Sequence, residues 1–320
     1  MEETAWIDSV YFIKLGIQYR ALTRGYLGHS PARKLRAVMK GILQSVSPCL
    51  NQKNMDCKAC SAKEECCYFR IMVEDQHKDY LPYFISLHDE QEWIGEIAPR
   101  TVHRFQYCLI GEKARFADYV ALGLQSKRWI SLDGVDRQKV RFEFASIQEK
   151  NHGLPINLEY MLDHYDRTYG IDLSEIDHVT LEFLSPFACT YGNRTVTEPE
   201  RMNANIFLEV LHRRIKGLAE SHCGFNGPIP KLDQWLLPGR DIETTWQRHS
   251  RFVRREAWKR LANGRLEKEL IGGLDGKLSF KGNMTPFFPA IVLGEALHIG
   301  NDTTQGLGRY RILQINHQAL

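Results

Sequence analysis

The chain has 320 residues, 43% hydrophobic and 25% charged, with a formal net charge of +3. That is apolar material for one large domain or two ordinary ones, and a charge so near zero that partner choice must rest on local clusters rather than on a global field. No stretch is long and uncharged enough to cross a bilayer, and the acidic start Met1-Glu2-Glu3-Thr4 does not read as a secretory signal, so a cytoplasmic location without membrane contact is expected, its eight cysteines reduced.

Trp6 to Gln18 is rich in Ile, Tyr and Phe with partial alternation and predicts a first strand. A turn-like patch, Thr23 to His29, leads to Ser30-Pro31, which reads as an N-cap followed by proline at the first helical position. Leu35, Val38, Met39, Ile42 and Val46 then recur at helical spacing. Cys49 to Cys67 is irregular. Tyr80 to Leu87 and Thr101 to Leu109 predict strands, Ala114 to Leu124 a helix, and Arg141 to Ile147 a strand. Asn151 to Ser174 is polar without a clear period and marks a boundary.

A second series follows. His178 to Leu184 alternates like a strand, and Asn203 to Ser221 has a helical period. Glu269 to Phe280, with Gly272-Gly273 and Asp275-Gly276, reads as a hairpin. Phe287 to Leu297 is helical, and Tyr310 to Ile315 is a strand. Strand, helix, strand, strand, helix, strand is the order of a ferredoxin-like unit. The fold class is therefore α+β with two tandem ferredoxin-like domains, one over 1–155 with a Cys-rich insertion at 49–67, the other over 175–320 with a Gly-rich loop.

The strongest basic cluster runs from Arg248 to Arg260. Read as a helix, Arg248, Arg251, Arg255 and Lys259 form one stripe, and Trp246, Val253, Ala257 and Leu261 an apolar one. A fixed row of cations suits phosphate, and arginine offers a bidentate fork; a solvated amphipathic face is the plainer alternative. His249 and Arg254 lie in the same run. Near the other end, His29 would sit just before the positive end of a helix, a place suited to an anion, where imidazole can act as acid or base. Arg24, Arg33 and Lys34 surround it in sequence and can supply charge. His298 reads as a hydrogen-bonded structural histidine. In the loop after it, Gly300, Gly306 and Gly308 permit tight turning that brings N–H groups toward a ligand, with Arg309 beside them.

Cys49, Cys57, Cys60 and Cys66 or Cys67 form C-x7-C-x2-C-x5-C-C. Four thiolates within about twenty residues suit a structural zinc ion; free thiols are the alternative. No P-loop, dinucleotide fingerprint, H-E-x-x-H or G-x-S-x-G occurs in a fitting context.

Several segments together resemble the CRISPR-associated repeat-RNA endoribonuclease of the RAMP superfamily, the sixth numbered Cas family. They are Trp246 to Arg251, Gly272 to Gly276, Gly294 to Gly300 and Thr303 to Tyr310. Leu184-Ser185-Pro186, Leu211 to Arg214, Arg24 to His29 and Cys66-Cys67-Tyr68 are similar too. The resemblance implies two tandem RRM-like domains that bind a hairpin of precursor CRISPR RNA and cut within the repeat. It implies a cleavage needing no metal or other cofactor: the RNA's own 2′-hydroxyl attacks the adjacent phosphate, with His29 as the proton-transfer residue and a 2′,3′-cyclic phosphate as product. Other Cas effector subunits are implied partners. The competing reading is a non-catalytic subunit that holds the guide RNA in an effector complex.

Overall fold

The first residues do not form a strand. Thr4 O accepts the N–H groups of Ile7 (2.7 Å) and Asp8 (3.0 Å), and the Ser9 hydroxyl donates to Trp6 O (2.8 Å). These local bonds close a short helix, α1 (Ala5–Asp8), so the strand predicted from Trp6 starts only at Phe12 (β1, Phe12–Ala21). The computed structural model describes residues 4–28, 30–47, 56–75, 80–134, 138–149, 153–260 and 266–320. They form two compact units, Phe12–Pro155, and Met1–Tyr11 with Ile156–Leu320.

In the unit Phe12–Pro155, β1 sends Ile13, Leu15, Ile17 and Tyr19 into the core and alternate residues to the other face. After β2 (Gly25–Leu27) comes α2 (Pro31–Ser45), whose Leu35, Met39 and Ile42 are fully buried, as their spacing predicts. Ser30 does not cap it: Ser30 is left-handed (φ 65°) and makes no side-chain cap bond, whereas a capping serine needs extended backbone angles. Then follow β3 (Tyr83–Leu87), β4 (Gly95–Ile97), β5 (Val102–Ile110), α3 (Ala117–Ser126), β6 (Trp129–Asp133) and β7 (Lys139–Glu149). The main sheet has the order β3-β5-β1-β7-β6, antiparallel throughout. Its first four strands with α2 and α3 are the ferredoxin-like arrangement.

The second unit repeats that plan. It opens with a helix absent from the sequence reading, α4 (Leu158–Tyr169), in the polar stretch assigned to a boundary. Its end signals are present: the Asn157 side chain accepts the Tyr160 N–H (3.0 Å), and Gly170 closes it left-handed. Next come β8 (His178–Phe183), the small pair β9 (Thr190–Tyr191) and β10 (Arg194–Thr195), α5 (Ala204–His222) and α6 (Leu232–Trp235). Strands β11 (Glu243–Trp246), β12 (Arg251–Arg260), β13 (Leu266–Asp275) and β14 (Lys277–Lys281) precede α7 (Phe288–Leu297), β15 (Tyr310–Ile315) and β16 (Gln318–Ala319). The sheet order β11-β14-β8-β15-β16 is again ferredoxin-like. Phe183, Phe187, Phe207, Phe280 and Tyr310 pack ring on ring in its core.

Trp6 is fully buried in this second unit, its ring 5.0 Å from His212 of α5 and 6.1 Å from Trp235 of α6. His212 bonds Pro230 O (3.1 Å), and burial holds its pKa below the usual imidazole value, which keeps it neutral among the tryptophans. Truncating such a buried indole costs about 3–5 kcal/mol. Trp6→Ala is therefore expected to lower the unfolding free energy by that amount in urea titration, with amide exchange accelerated in α5 and unchanged in β1 and β5.

Candidate nucleic-acid interface

The basic segment expected as a helix is a strand. Arg251 to Arg260 pairs rung by rung with Leu266 to Asp275, from Arg251↔Asp275 to Arg260↔Leu266. Its cations recur at a spacing that fits a helix, but ten pairings with a neighbouring hairpin arm override local periodicity. The register places Lys259 opposite Glu267. This ribbon continues the β11–β14 pair out of the main sheet. Between the two pairings four residues, 247–250, face only Gly276 and Lys277, and the strand bends there. The Gln247 N–H donates to Lys277 O (3.1 Å), and Gly276 takes φ 130°, a conformation that side chains rarely allow. Arg248 and His249 in the bend and Arg251 and Arg254 beyond it are all exposed, and the Arg254 guanidinium lies over the Phe252 ring at 5.7 Å. Arg255 occupies the next position on β12.

The base of the ribbon is clamped by the segment leaving β8. Phe187 and Leu274 exchange backbone bonds, Phe187 N to Leu274 O (2.8 Å) and Leu274 N to Phe187 O (2.9 Å). A Cβ on Gly273 would stand 2.5 Å from the Phe187 carbonyl carbon and 2.7 Å from Ala188 N. Glycine is required because two backbones cross there.

The Gly-rich loop joins the same segment from the other side. The Gly308 N–H donates to Pro186 O (2.9 Å), the Asn301 N–H to Ala188 O (2.7 Å), and the Arg309 N–H to Ser185 Oγ (2.9 Å). Gly306 donates to Thr303 O (2.9 Å). A Cβ on Gly308 would collide with Ile299 O, and one on Gly300 with Ala188 O. The glycines thus serve close packing, and the N–H groups of Asn301, Gly306, Gly308 and Arg309 are spent inside the fold. His298 is buried, in keeping with a structural role. The structure brings Arg309, Gly306 and Gly308 to the root of the ribbon that carries Arg248, His249, Arg251 and Arg254. Sequence reasoning missed the joint itself, Phe187-Ala188; its signal was the glycine pair Gly272-Gly273, read only as a turn.

The N-terminal candidates lie in the other unit. His29 lies outside the described residues. Arg33 and Lys34 occupy the first turn of α2. The Lys34 ammonium donates to Asp133 O (2.7 Å); burial lowers its pKa and the Asp133 carboxylate partly offsets this. Arg24 pairs with Glu96 (3.4 Å) on the surface. Of the cysteines, Cys49 lies outside the described residues, Cys57 and Cys60 are half-buried, and Cys66 is buried. Cys66 Sγ accepts the Phe69 N–H (3.5 Å). The Cys57 thiol is pushed up by burial and by the neighbouring Cys66 and Cys60 sulfurs. Among the described residues no three His, Cys, Asp or Glu side chains are arranged to hold a metal ion.

Residues 181–310, which contain the ribbon, its joint and the loop, match the profile of the CRISPR-associated endoribonuclease Cas6. This segment resembles the Cas6 family. A second family profile, described as an N-terminal domain, matches residues 10–163. No curated protein matches the sequence. Among solved structures, a Cas6 product complex shares 14% identity with a TM-score of 0.56, covering 95% of this chain and 99% of that one. Thermus thermophilus Cas6 shares 14% with a TM-score of 0.53 over 95% and 99%. A partial Cas6-RT-Cas1–Cas2 complex shares 10% with a TM-score of 0.59, over 97% of this chain but 47% of that longer one. At these identities the likeness is one of fold, and it spans both ferredoxin-like units of this chain. Among the described residues no helix is long and apolar enough to cross a membrane.

Overpacking a tight crossing costs about 1–3 kcal/mol. Gly273→Val is therefore expected to speed hydrogen exchange at the Phe187 and Leu274 amides about tenfold or more, leaving the Phe12–Pro155 unit unchanged.

Proposed function

We propose that this protein binds a repeat stem-loop of precursor CRISPR RNA and cleaves it to guide RNA. The observation that carries the reading is the exposed arginine ribbon rooted on the Gly-rich loop, within the segment that matches the endoribonuclease family. A two-stranded ribbon fits a groove or backbone of folded RNA, and its guanidinium groups match phosphate oxygens. The RNA supplies the nucleophile: a 2′-hydroxyl attacks the adjacent phosphorus, the 5′-oxygen leaves with a proton, and the products are a 2′,3′-cyclic phosphate and a 5′-hydroxyl. The protein then needs a proton-transfer group and cations around the strained phosphate. His29 is assigned the proton transfer and Arg24, Arg33 and Lys34 the charge, with no metal in the step. Complexes of relatives with Cas1 and Cas2 make other Cas proteins the expected partners, in the cytoplasm.

Two measurements test this. In a cleavage assay with repeat RNA, wild type cuts equally with and without EDTA, and His29→Ala loses about 10²-fold or more in rate with binding retained. Strict dependence on added metal rules out the chemistry; binding without cutting by wild type leaves the non-catalytic guide-holding reading instead. For the ribbon, Arg251→Ala with Arg254→Ala weakens binding of any repeat stem-loop and reduces the slope of log K against log salt by about 2. An unchanged slope removes the ribbon from the interface.

We also infer a structural zinc ion on Cys49, Cys57, Cys60 and Cys66. Support comes from the C-x2-C spacing and from the Cys57 thiol, pushed up by burial and by the Cys66 and Cys60 sulfurs beside it, which a divalent cation would reverse. Protein purified without chelator should carry one zinc per chain by elemental analysis, lost in Cys66→Ser; absence of zinc from the wild type contradicts the site.

A further inference from the structure

The sheet face that carries Gly16 has a polar stretch with a gap at its centre, beside the buried Phe12, Phe84, Cys108 and Ile110. Direct antiparallel partners share a face, so the pairings Gly16↔Gln106 and Gly16↔Gln148 put two glutamines on either side of Gly16 in one rung. The next rung holds Arg104, Gln18 and Ser146, with the Arg104 guanidinium 3.9 Å from the Glu92 carboxylate. Arg20 follows on β1, exposed and in register with Glu143. The amides of Gln18, Gln106 and Gln148 have no hydrogen-bond partner among the described residues.

Gly16 is the unexplained residue. It sits inside a central strand bonded on both sides, where glycine weakens a sheet. Its backbone is not left-handed. A Cβ there would meet only Gln148 O at 3.4 Å and Gln148 Cβ at 4.0 Å, ordinary contact distances. Neither a turn nor a crossing backbone calls for it, in contrast with Gly273 and Gly308, and the irregularity in the β1–β7 pairing falls at Gln18/Tyr19, two residues further on. A merely solvated face would hold a residue with strand preference at this position. What a missing side chain does leave is a flat floor between two amide walls, and glycine inside a strand marks close approach by a ligand.

We propose that this rung seats an unpaired base of the bound RNA. The base lies over Gly16, the Gln106 and Gln148 amides read its edge, and Arg104 and Arg20 face the flanking phosphates. Amides offer both donors and acceptors, and glutamine pairs well with a base edge carrying one of each. Bases in single strands are accessible on those edges, whereas bases in a duplex are not. The proposal rests on the RNA-processing reading and assigns a separate surface to the single-stranded flank of the stem-loop.

The test compares anisotropy titrations of the full-length protein with two RNAs, the repeat stem-loop alone and the same stem-loop with its natural single-stranded flanks. Wild type is expected to bind the flanked RNA about tenfold more tightly, an ordinary gain for one well-held base. Gly16→Val, which suits a strand, and the double variant Gln106→Ala with Gln148→Ala should each lose that gain and bind the bare stem-loop within about twofold of wild type. The alanine pair guards against a folding defect in the valine variant. A full flank advantage in both variants, or no flank advantage in wild type that still binds the stem-loop, overturns the base seat and leaves the nuclease reading standing. Failure of wild type to bind either RNA overturns both.

Discussion

Everything proposed for the C-terminal unit depends on one close approach of two backbones. The Phe187-Ala188 segment crosses β13 at Gly273, and two hydrogen bonds between Phe187 and Leu274 lock the crossing. On its far side the same segment accepts N–H groups from Asn301 and Gly308. A residue with a Cβ at Gly273 or Gly300 would separate these layers, and one at Gly308 would force the loop open against Ile299. The crossing therefore turns a two-stranded ribbon, which has little stability alone, into an extension of a packed sheet. Its arginines gain a fixed origin, and fixed cations bind a polyanion with less ordering cost than mobile ones.

The two ferredoxin-like units share a sheet order but use it differently. The second unit fills the space around α5 with aromatic rings and takes Trp6, from the start of the chain, as one of them. The Phe12–Pro155 unit packs one sheet face against α2 and α3; the other has a polar stretch around Gly16, next to the buried Phe12, Phe84, Cys108 and Ile110. A core needs apolar contact, whereas a face with unpartnered amides has hydrogen-bonding capacity to offer a ligand.

Most of the fold could be read from periodicity. Helix α2 follows the spacing of Leu35, Met39 and Ile42, and α7 the apolar run before His298. The failures have definite causes. The Arg248 to Arg260 segment satisfies a helical spacing and a strand ladder equally, and only the distant partner 266–275 decides between them. Helix α4 carries few buried residues, so its period is faint although Asn157 and Gly170 mark both ends. The candidate site was half legible. The exposed arginines were found from charge density, but the loop glycines were assigned to a ligand when neighbouring backbones occupy their space. Periodicity could not show that: the backbone against Gly300 is Ala188, more than a hundred positions away, and the one against Gly308 is Ile299, across the loop itself.

The central claim is that the arginine ribbon, and not a helix face, meets the RNA. Photocrosslinking with repeat RNA carrying 4-thiouridine, followed by mass spectrometry of the conjugated peptides, tests it most directly. The account predicts adducts in peptides from Arg248–Arg260 and Leu266–Asp275. Adducts confined to the outer faces of α4 and α5, with the ribbon peptides unmodified, would contradict it.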